Sequence, residues 1–400
     1  MDNTNNVITT RKILTINNIA KVGLARFPSE QYQVGPKVEA PDAIIVRSQN
    51  LHEMEIPASV KAIGRAGAGV NNIPVDKLSK RGLPVFNAPG ANANAVKELV
   101  LAAMLMASRN IAPALKFVEG LTGDDKTLHK LVEDGKKAFS GSELPGRALG
   151  VIGLGKIGSL VADAAIKLGM DVIGYDPHIT VDAAWSLPAQ VKKANSVEEL
   201  LRSADYVSVH VPLLDATRNL IDAKRMAVMK KGAILLNFAR DGIVDDKALV
   251  AAIRSDHLRG YFCDFPAEVL QGVPRVYATP HLGASTEEAE DNCAVMVADQ
   301  IRDFLEHGNV RNAVNLPDAI MARESLYRLS IANANVPNML GQMSTAMAGA
   351  GLNIHNMLNK SRGEMAYTLI DVDSAIPAEL IDRLGKISGV LSVRYLPLDQ

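Results

Sequence analysis

The segment Gly153-Leu154-Gly155-Lys156-Ile157-Gly158 constrains the fold more than any other stretch of the chain. Glycines are entropically costly to order. Three at this spacing recur where a strand turns sharply into a helix around a phosphate. The surroundings fit that context. Ala148–Ile152 reads as an apolar strand leading in, Ser159–Leu168 as a helix leading out, and Asp171–Tyr175 as a second strand ending in Asp176. Gly153 then permits the tight turn, Gly155 lets backbone approach a pyrophosphate, and Gly158 lets helix and strand pack closely. The loop, with Lys156 and Ile157, and the helix N-terminus beyond it supply N–H groups and partial positive charge to phosphates. Asp176 would accept from ribose hydroxyls and repel a 2′-phosphate, so NAD is expected rather than NADP.

This unit sits inside a longer alternating pattern. Strand-like segments at Tyr206–His210, Ala233–Asn237 and Gly260–Asp264 extend it into a doubly wound sheet. Ahead of it, Lys12–Ile19, Ala43–Ser48, Val60–Gly64 and Pro84–Asn87 alternate with helical stretches, as in another parallel sheet. A helix is predicted over Ala95–Phe117 and a second over Thr286–Glu306. Residues Gly308–Glu324 read as a linker, too short for another domain. Beyond it, strands at Tyr327–Ala332, Asn353–Leu358, Met365–Asp371 and Val390–Leu396 and helices at Met339–Ala350 and Pro377–Lys386 give the order βαββαβ, a ferredoxin-like arrangement.

Composition narrows the partners. With 48% apolar residues in 400, sizeable cores are expected. A net charge of −1 gives no footing for electrostatic binding of nucleic acid or a membrane surface. Neither of the two cysteines, Cys263 and Cys293, belongs to a CxxC pair, so no metal and no disulfide framework is expected. The N-terminus lacks an apolar signal core, and a cytoplasmic location is expected.

Three later segments carry groups suited to chemistry. Arg240 lies in Asn237-Phe238-Ala239-Arg240-Asp241-Gly242, beyond a strand's C-terminal end. Its rigid, permanently charged fork suits a carboxylate. Glu268 lies in Asp264-Phe265-Pro266-Ala267-Glu268, and His281 in Thr279-Pro280-His281-Leu282-Gly283-Ala284-Ser285-Thr286. Oxidation of a 2-hydroxy acid needs a base for the hydroxyl proton and a cation for the carboxylate. His281 suits the base, Arg240 the cation, and Glu268 an acceptor for the other ring nitrogen of His281. Near the N-terminus, Arg47 and Ser48 follow one strand, and Arg65-Ala66-Gly67-Ala68-Gly69 the next. The glycines leave N–H groups for an anion. Two arginines with Lys97 suit a dianionic phosphate.

In this order the motifs resemble the D-isomer-specific 2-hydroxyacid dehydrogenase family, over nearly the whole chain. The resemblance implies a flavodoxin-like substrate domain (residues 10–112 and 286–320), a Rossmann NAD domain (113–285) and a C-terminal α+β ferredoxin-like ACT domain (326–400). It implies that Arg240, Glu268 and His281 carry catalysis. Asp264 matches the acid that contacts the nicotinamide amide. His210, Pro212 and, by a looser match, Thr217 fall in the loop lining the cofactor, with Ala239 and Gly283 beside it. Arg47 and Arg65 match positions facing a substrate phosphate, with Ser48 and Gly67 alongside, and Asn92 matches a substrate-side position. The branch most similar oxidises 3-phospho-D-glycerate in the first step of L-serine biosynthesis and works as a homodimer or homotetramer. Its ACT domain commonly binds L-serine, and Asn333, Asn335 and Asn353 match ligand positions there. The chain departs from the pattern in three places. One residue fewer separates Asp264 from Glu268, Asn333 stands where His is frequent, and Asn338 where Gly is frequent. Alternatives are another D-2-hydroxyacid dehydrogenase, acting on glyoxylate, 2-oxoglutarate or D-lactate, and a non-catalytic NAD-sensing co-repressor. The extra N-terminal cations and the ACT-like tail argue against the first. The Arg240–His281 set argues against the second.

Overall fold

The computed structural model describes residues 10–398. Its N-terminal segment contains β1 (Arg11–Ile16), α1 (Lys21–Leu24), β2 (Tyr32–Gly35), β3 (Ala43–Val46), β4 (Ala62–Arg65), α2 (Val75–Ser79) and β5 (Val85–Phe86). They form a parallel sheet in the order β2-β1-β3-β4-β5, the flavodoxin-like winding. The middle strand β3, Ala-Ile-Ile-Val, is buried throughout, as expected of a strand covered on both faces. The edge strand β2 has no apolar run, and its sequence gave no strand signal.

The second segment runs α3 (Ala93–Ser108), α4 (Ile111–Glu119), α5 (Asp125–Gly135), β6 (Ala148–Ile152), α6 (Lys156–Lys167), β7 (Asp171–Tyr175), α7 (Val181–Trp185) and β8 (Lys192–Lys193). It continues with α8 (Val197–Ser203), β9 (Tyr206–Val209), α9 (Ala223–Val228), β10 (Ala233–Asn237), α10 (Asp246–Arg254), β11 (Leu258–Cys263) and β12 (Val276–Ala278). The sheet order is β12-β11-β10-β9-β6-β7-β8, and every pairing is parallel. The order reverses at β6, the switch point of a Rossmann fold.

The helix predicted over Ala95–Phe117 is in fact two. Asn110 takes the left-handed conformation (φ 51°) and donates from its side chain to the Ser140 carbonyl, so α3 and α4 meet at 66°. The chain divides into two units at Asn92/Ala93 and Thr286/Glu287. The first boundary thus lies some twenty residues before position 112, because α3 belongs with the second segment. Its Val100 and Met104 share a core with Leu149 and Val161.

The first unit is completed by α11 (Glu287–His307), β13 (Tyr327–Ala334), α12 (Met339–Ala348), β14 (Ile354–Arg362), β15 (Met365–Val372), α13 (Ala378–Gly385) and β16 (Val390–Pro397). The last four strands form an antiparallel sheet, β14-β15-β13-β16. One face packs Leu329, Ile331 and Ile370 on Met343, Met347, Leu380 and Leu384 of α12 and α13. The other sets Ala332, Tyr367 and Leu369 against a core that includes Phe304 and Leu305 of α11. Arg328 and Asp371, both fully buried, form a two-pronged ion pair with bonds of 2.6 and 2.8 Å. Arg328 also donates to the carbonyls of His307, Met321 and Ala322. Arg394 lies 4.2 Å over the Phe304 ring and donates to the carbonyls of Phe304 and Leu305. The last turn of α11 is therefore satisfied by arginines from the C-terminal sheet.

Candidate active site

In the second unit, six strand ends stand in one row. Ile152 pairs with Tyr175 and Val209, Val209 with Asn237, Asn237 with Cys263, and Cys263 with Ala278. One to three residues past these ends come Gly153, Asp176, His210, Arg240, Asp264 and His281. Parallel register alone therefore gathers these residues, far apart in sequence, along one sheet edge, where open α/β sheets bind ligands.

The glycine loop is shaped by close approach. Gly153 has φ +90°, and a Cβ there would stand 2.5 Å from the His210 carbonyl oxygen. A Cβ on Gly158 would stand 1.9 Å from the Gly153 oxygen. Gly155, by contrast, borders open space, with nothing within 4 Å of a Cβ. It begins α6, whose N-terminus has no side-chain cap. The cradle therefore has room and unspent N–H donors for a pyrophosphate. Lys156 is exposed and Ile157 half-buried at the first turn. Asp176 accepts from Leu154 N and His178 N, both at 2.9 Å, which fixes its carboxylate beside the loop.

The neighbouring loop is held by Thr217, whose hydroxyl donates to the Pro212 carbonyl at 2.6 Å and accepts from Leu214 N at 2.8 Å. His210 meets the Ser208 hydroxyl through Nε2 at 2.8 Å, while its buried Nδ1 has no partner. Burial pushes its pKa down to about 4, so the ring is neutral at neutral pH. A neutral ring with one unused nitrogen also fits a site for a polar cofactor.

Arg240 is half-buried, and its Nη1 donates to the Ala239 carbonyl at 2.6 Å. The buried Asn237 amide accepts from Ala239 N and donates to the Arg240 carbonyl, which fixes the turn carrying the guanidinium. Asp264, 1% exposed, is the anchor of the histidine loop. Its Oδ1 accepts from the Thr279 hydroxyl (2.6 Å) and Leu282 N (2.7 Å), and its Oδ2 from Gly283 N (2.7 Å). His281 sits between them in the left-handed region (φ 57°), a conformation held by its surroundings rather than preferred. Its ring is exposed and meets Phe265 edge-on at 5.2 Å.

Glu268 does not reach His281 in this structure. Neither side chain has a hydrogen bond or ion pair among the described residues. Glu268 opens the short 3-10 turn Glu268–Leu270, which buries Leu270 and leaves Glu268 exposed.

In the first unit, Arg47 and Arg65 stand on adjacent strands. Arg65 Nε donates to the Arg47 carbonyl at 3.0 Å, and Val46 pairs with Arg65 in register. The Arg47 guanidinium is ion-paired with Glu290 of α11. The thiol of Cys293, raised by burial, feels Arg65, Arg47 and Glu290 together. Ser48 N donates to the Asn17 side chain, and Gly67 closes back on the Arg65 carbonyl. Asn92 is half-buried. Glu290 was not foreseen: 243 residues separate it from Arg47, and an acid in a helix's first turn ordinarily reads as a dipole partner. Lys97, in the second unit, is held by its own helix, donating to Asn94 at 2.6 Å with Glu98 at 3.9 Å.

In the C-terminal module, Asn333 is 1% exposed and donates to the Ala334 carbonyl, leaving its Oδ1 buried without a partner. Asn335 donates to the Gly363 carbonyl. Asn353 is exposed. Asn338 is left-handed (φ 64°), so the frequent Gly is replaced here by a residue that also tolerates that conformation.

Residues 101–283 match the family model "D-isomer specific 2-hydroxyacid dehydrogenase, NAD binding domain". The D-3-phosphoglycerate dehydrogenase of Haemophilus influenzae is 34% identical over 355 residues, which cover 86% of this chain and 83% of that protein. Its counterpart from Methanocaldococcus jannaschii is 38% identical over 291 residues, or 70% of this chain, and the match spans 53% of that longer protein. Among solved structures, an NAD+-bound 3-phosphoglycerate dehydrogenase from Entamoeba histolytica aligns at 27% identity with a TM-score of 0.58, covering 76% of this chain and 98% of that one. Rhodotorula graminis D-mandelate dehydrogenase, at 24% identity and a TM-score of 0.65 over 79% of this chain and 100% of its own, shares the fold. This chain thus belongs to the D-isomer specific 2-hydroxyacid dehydrogenase family, and its residues 101–283 match that family's NAD-binding domain.

Proposed function

We propose that this chain oxidises 3-phospho-D-glycerate to 3-phosphohydroxypyruvate, the step that opens L-serine synthesis. The observation that carries this reading is the in-register row of strand ends, which sets the glycine cradle, Arg240 and the His281 loop on one edge. Gly153 through Gly158 and Asp176 would hold NAD, with His210, Pro212, Thr217, Ala239, Asp264 and Gly283 lining its path. Bound NAD supplies a hydride acceptor. His281 takes the proton of the C2 hydroxyl as the carbonyl forms. Arg240 holds the carboxylate and offsets charge on the C2 oxygen. Glu268 is assigned to the second ring nitrogen of His281 in the substrate-bound state, since such hydrogen bonds often tighten only in the complex.

Residues 10–92 and 287–320 are assigned to substrate binding, 93–286 to the cofactor and 326–400 to regulation as an ACT domain. Arg47, Ser48, Arg65, Gly67 and Asn92 are the substrate set, with Lys97 an added cation. Asn333, Asn335 and Asn353 form the effector set for L-serine. The working form is a homodimer or homotetramer in the cytoplasm, where Cys263 and Cys293 stay reduced. The deciding assay is NADH-dependent reduction of phosphohydroxypyruvate beside glyoxylate, 2-oxoglutarate and pyruvate. A preference for the phosphorylated acid supports the assignment. Preference for another acid moves the chain to a different branch, and turnover of none overturns the enzymatic reading. Titration with L-serine tests the effector site. The absence of heat at millimolar ligand would leave the module a structural role.

A further inference from the structure

A cavity of about 710 Å³ opens in the first unit, away from the residues assigned above. Its wall is built by the start of β1, the ends of β16 and α11, and the residues preceding β3 and β4. Three permanent cations line it, Arg11, Lys61 and Arg394, against two carboxylates, Asp42 and Glu306. Both carboxylates are engaged. Asp42 takes Lys61 Nζ at 2.7 Å and the Lys12 N–H at 2.7 Å, and Glu306 takes the Tyr32 hydroxyl at 2.7 Å.

Arg11 and Arg394 form no ion pair among the described residues. Arg11 lies over the Tyr32 ring at 5.8 Å, a weak contact. Arg394 spends two donors on the Phe304 and Leu305 carbonyls, which leaves the rest of its five-donor fork. Burial lowers the pKa of Arg394, and the charge of Arg11 lowers it further. A surplus of positive charge and two guanidinium groups with no carboxylate partner around one metabolite-sized cavity describe a site short of an anion.

We propose that this cavity binds a small molecule carrying two acidic groups, carboxylate or phosphate, one received by Arg11 and one by Arg394. The ligand would join β1 of the N-terminal sheet to β16 of the C-terminal sheet and relieve the repulsion between their arginines.

The test is isothermal titration of the full chain with citrate and, separately, with pyrophosphate. Wild type, Arg11→Gln, Arg394→Gln and the catalytic-site control Arg240→Gln are compared. Heat is expected with wild type and Arg240→Gln, and binding weaker by about tenfold in Arg11→Gln, the usual loss with one charge-assisted contact. Heat with only one probe supports the site and assigns its acid group. Arg394 also caps α11, so an unfolded Arg394→Gln leaves the decision to Arg11→Gln, whose side chain gives up only the weak contact with the Tyr32 ring. No heat with either probe at millimolar concentration overturns the proposal. Binding lost in Arg240→Gln but kept in Arg11→Gln also overturns it, by placing the anion at the catalytic edge.

Discussion

Replacing Asp264 by Asn removes one charge and almost no volume, yet it should loosen the whole histidine loop. The carboxylate is 1% exposed and accepts from the Thr279 hydroxyl, Leu282 N and Gly283 N. An amide oxygen can keep the two partners of Oδ1. The amide nitrogen then faces Gly283 N–H, donor against donor. Turning the amide over shifts the clash to Leu282 N–H. One buried backbone donor is left unpaired in either case, and the two surviving bonds lose their charge. A buried hydrogen bond to a charged group contributes about 1.5–3 kcal/mol, and weakening the other two brings the expected loss to about 3 kcal/mol. Because His281 is held left-handed between Thr279 and Leu282, the loop's relaxation should also misplace the His281 ring, the proposed base. Turnover should fall about tenfold to a hundredfold, as for a displacement near 1 Å. Urea unfolding and steady-state reduction of phosphohydroxypyruvate measure both. An Asp264→Asn protein with stability within about 0.5 kcal/mol of wild type, a change typical of inert surface positions, and with unchanged kcat would refute the argument.

Four further outcomes are expected. Glu290→Gln frees the Arg47 fork from a partly exposed ion pair (37% and 38%), so stability should change by less than about 1 kcal/mol, while the KM for phosphohydroxypyruvate falls and that for glyoxylate does not. Arg328→Met strands the buried Asp371 and should cost about 3–5 kcal/mol in a urea titration, most of it restored by adding Asp371→Leu. His210 has its folded pKa lowered to about 4, below an unfolded value near 6.5, so the unfolded chain binds the proton first as pH falls. Stability present above pH 6.5 is then lost toward pH 4 by up to about 3 kcal/mol, and His210→Asn should flatten that limb of the urea midpoint against pH. Glu268→Gln should lower turnover and shift the pH–rate profile. An unchanged rate and profile would remove Glu268 from the catalytic set.

Strands covered on both faces were legible because they must be apolar along nearly their whole length, as in Ala148–Ile152 and in Ala233–Asn237 up to its final Asn237. Edge strands carry no such demand. Lys192–Lys193 and Tyr32–Gly35 owe their pairing to neighbours rather than to their own side chains. The break at Asn110 escaped notice because Asn is tolerated inside helices, and the left-handed turn depends on a distant acceptor at Ser140. At the site, local motifs carried the glycine loop and the residues beyond strand ends. Contacts set by tertiary packing did not show, neither the Glu290–Arg47 pair nor the outward turn of Glu268.

The helix α11 has a mechanical consequence. Its 21 residues make a rod about 31 Å long. Glu290, in the first turn, grips Arg47, and the far end is grasped by Arg328 and Arg394 from the C-terminal sheet. A hydrogen-bonded rod does not absorb displacement along its length. A tilt of about 2° imposed at the sheet moves the other end by about 1 Å, enough to make or break the grip on the Arg47 guanidinium. The two ends of this unit therefore share one degree of freedom, and a strain applied at either is felt at both.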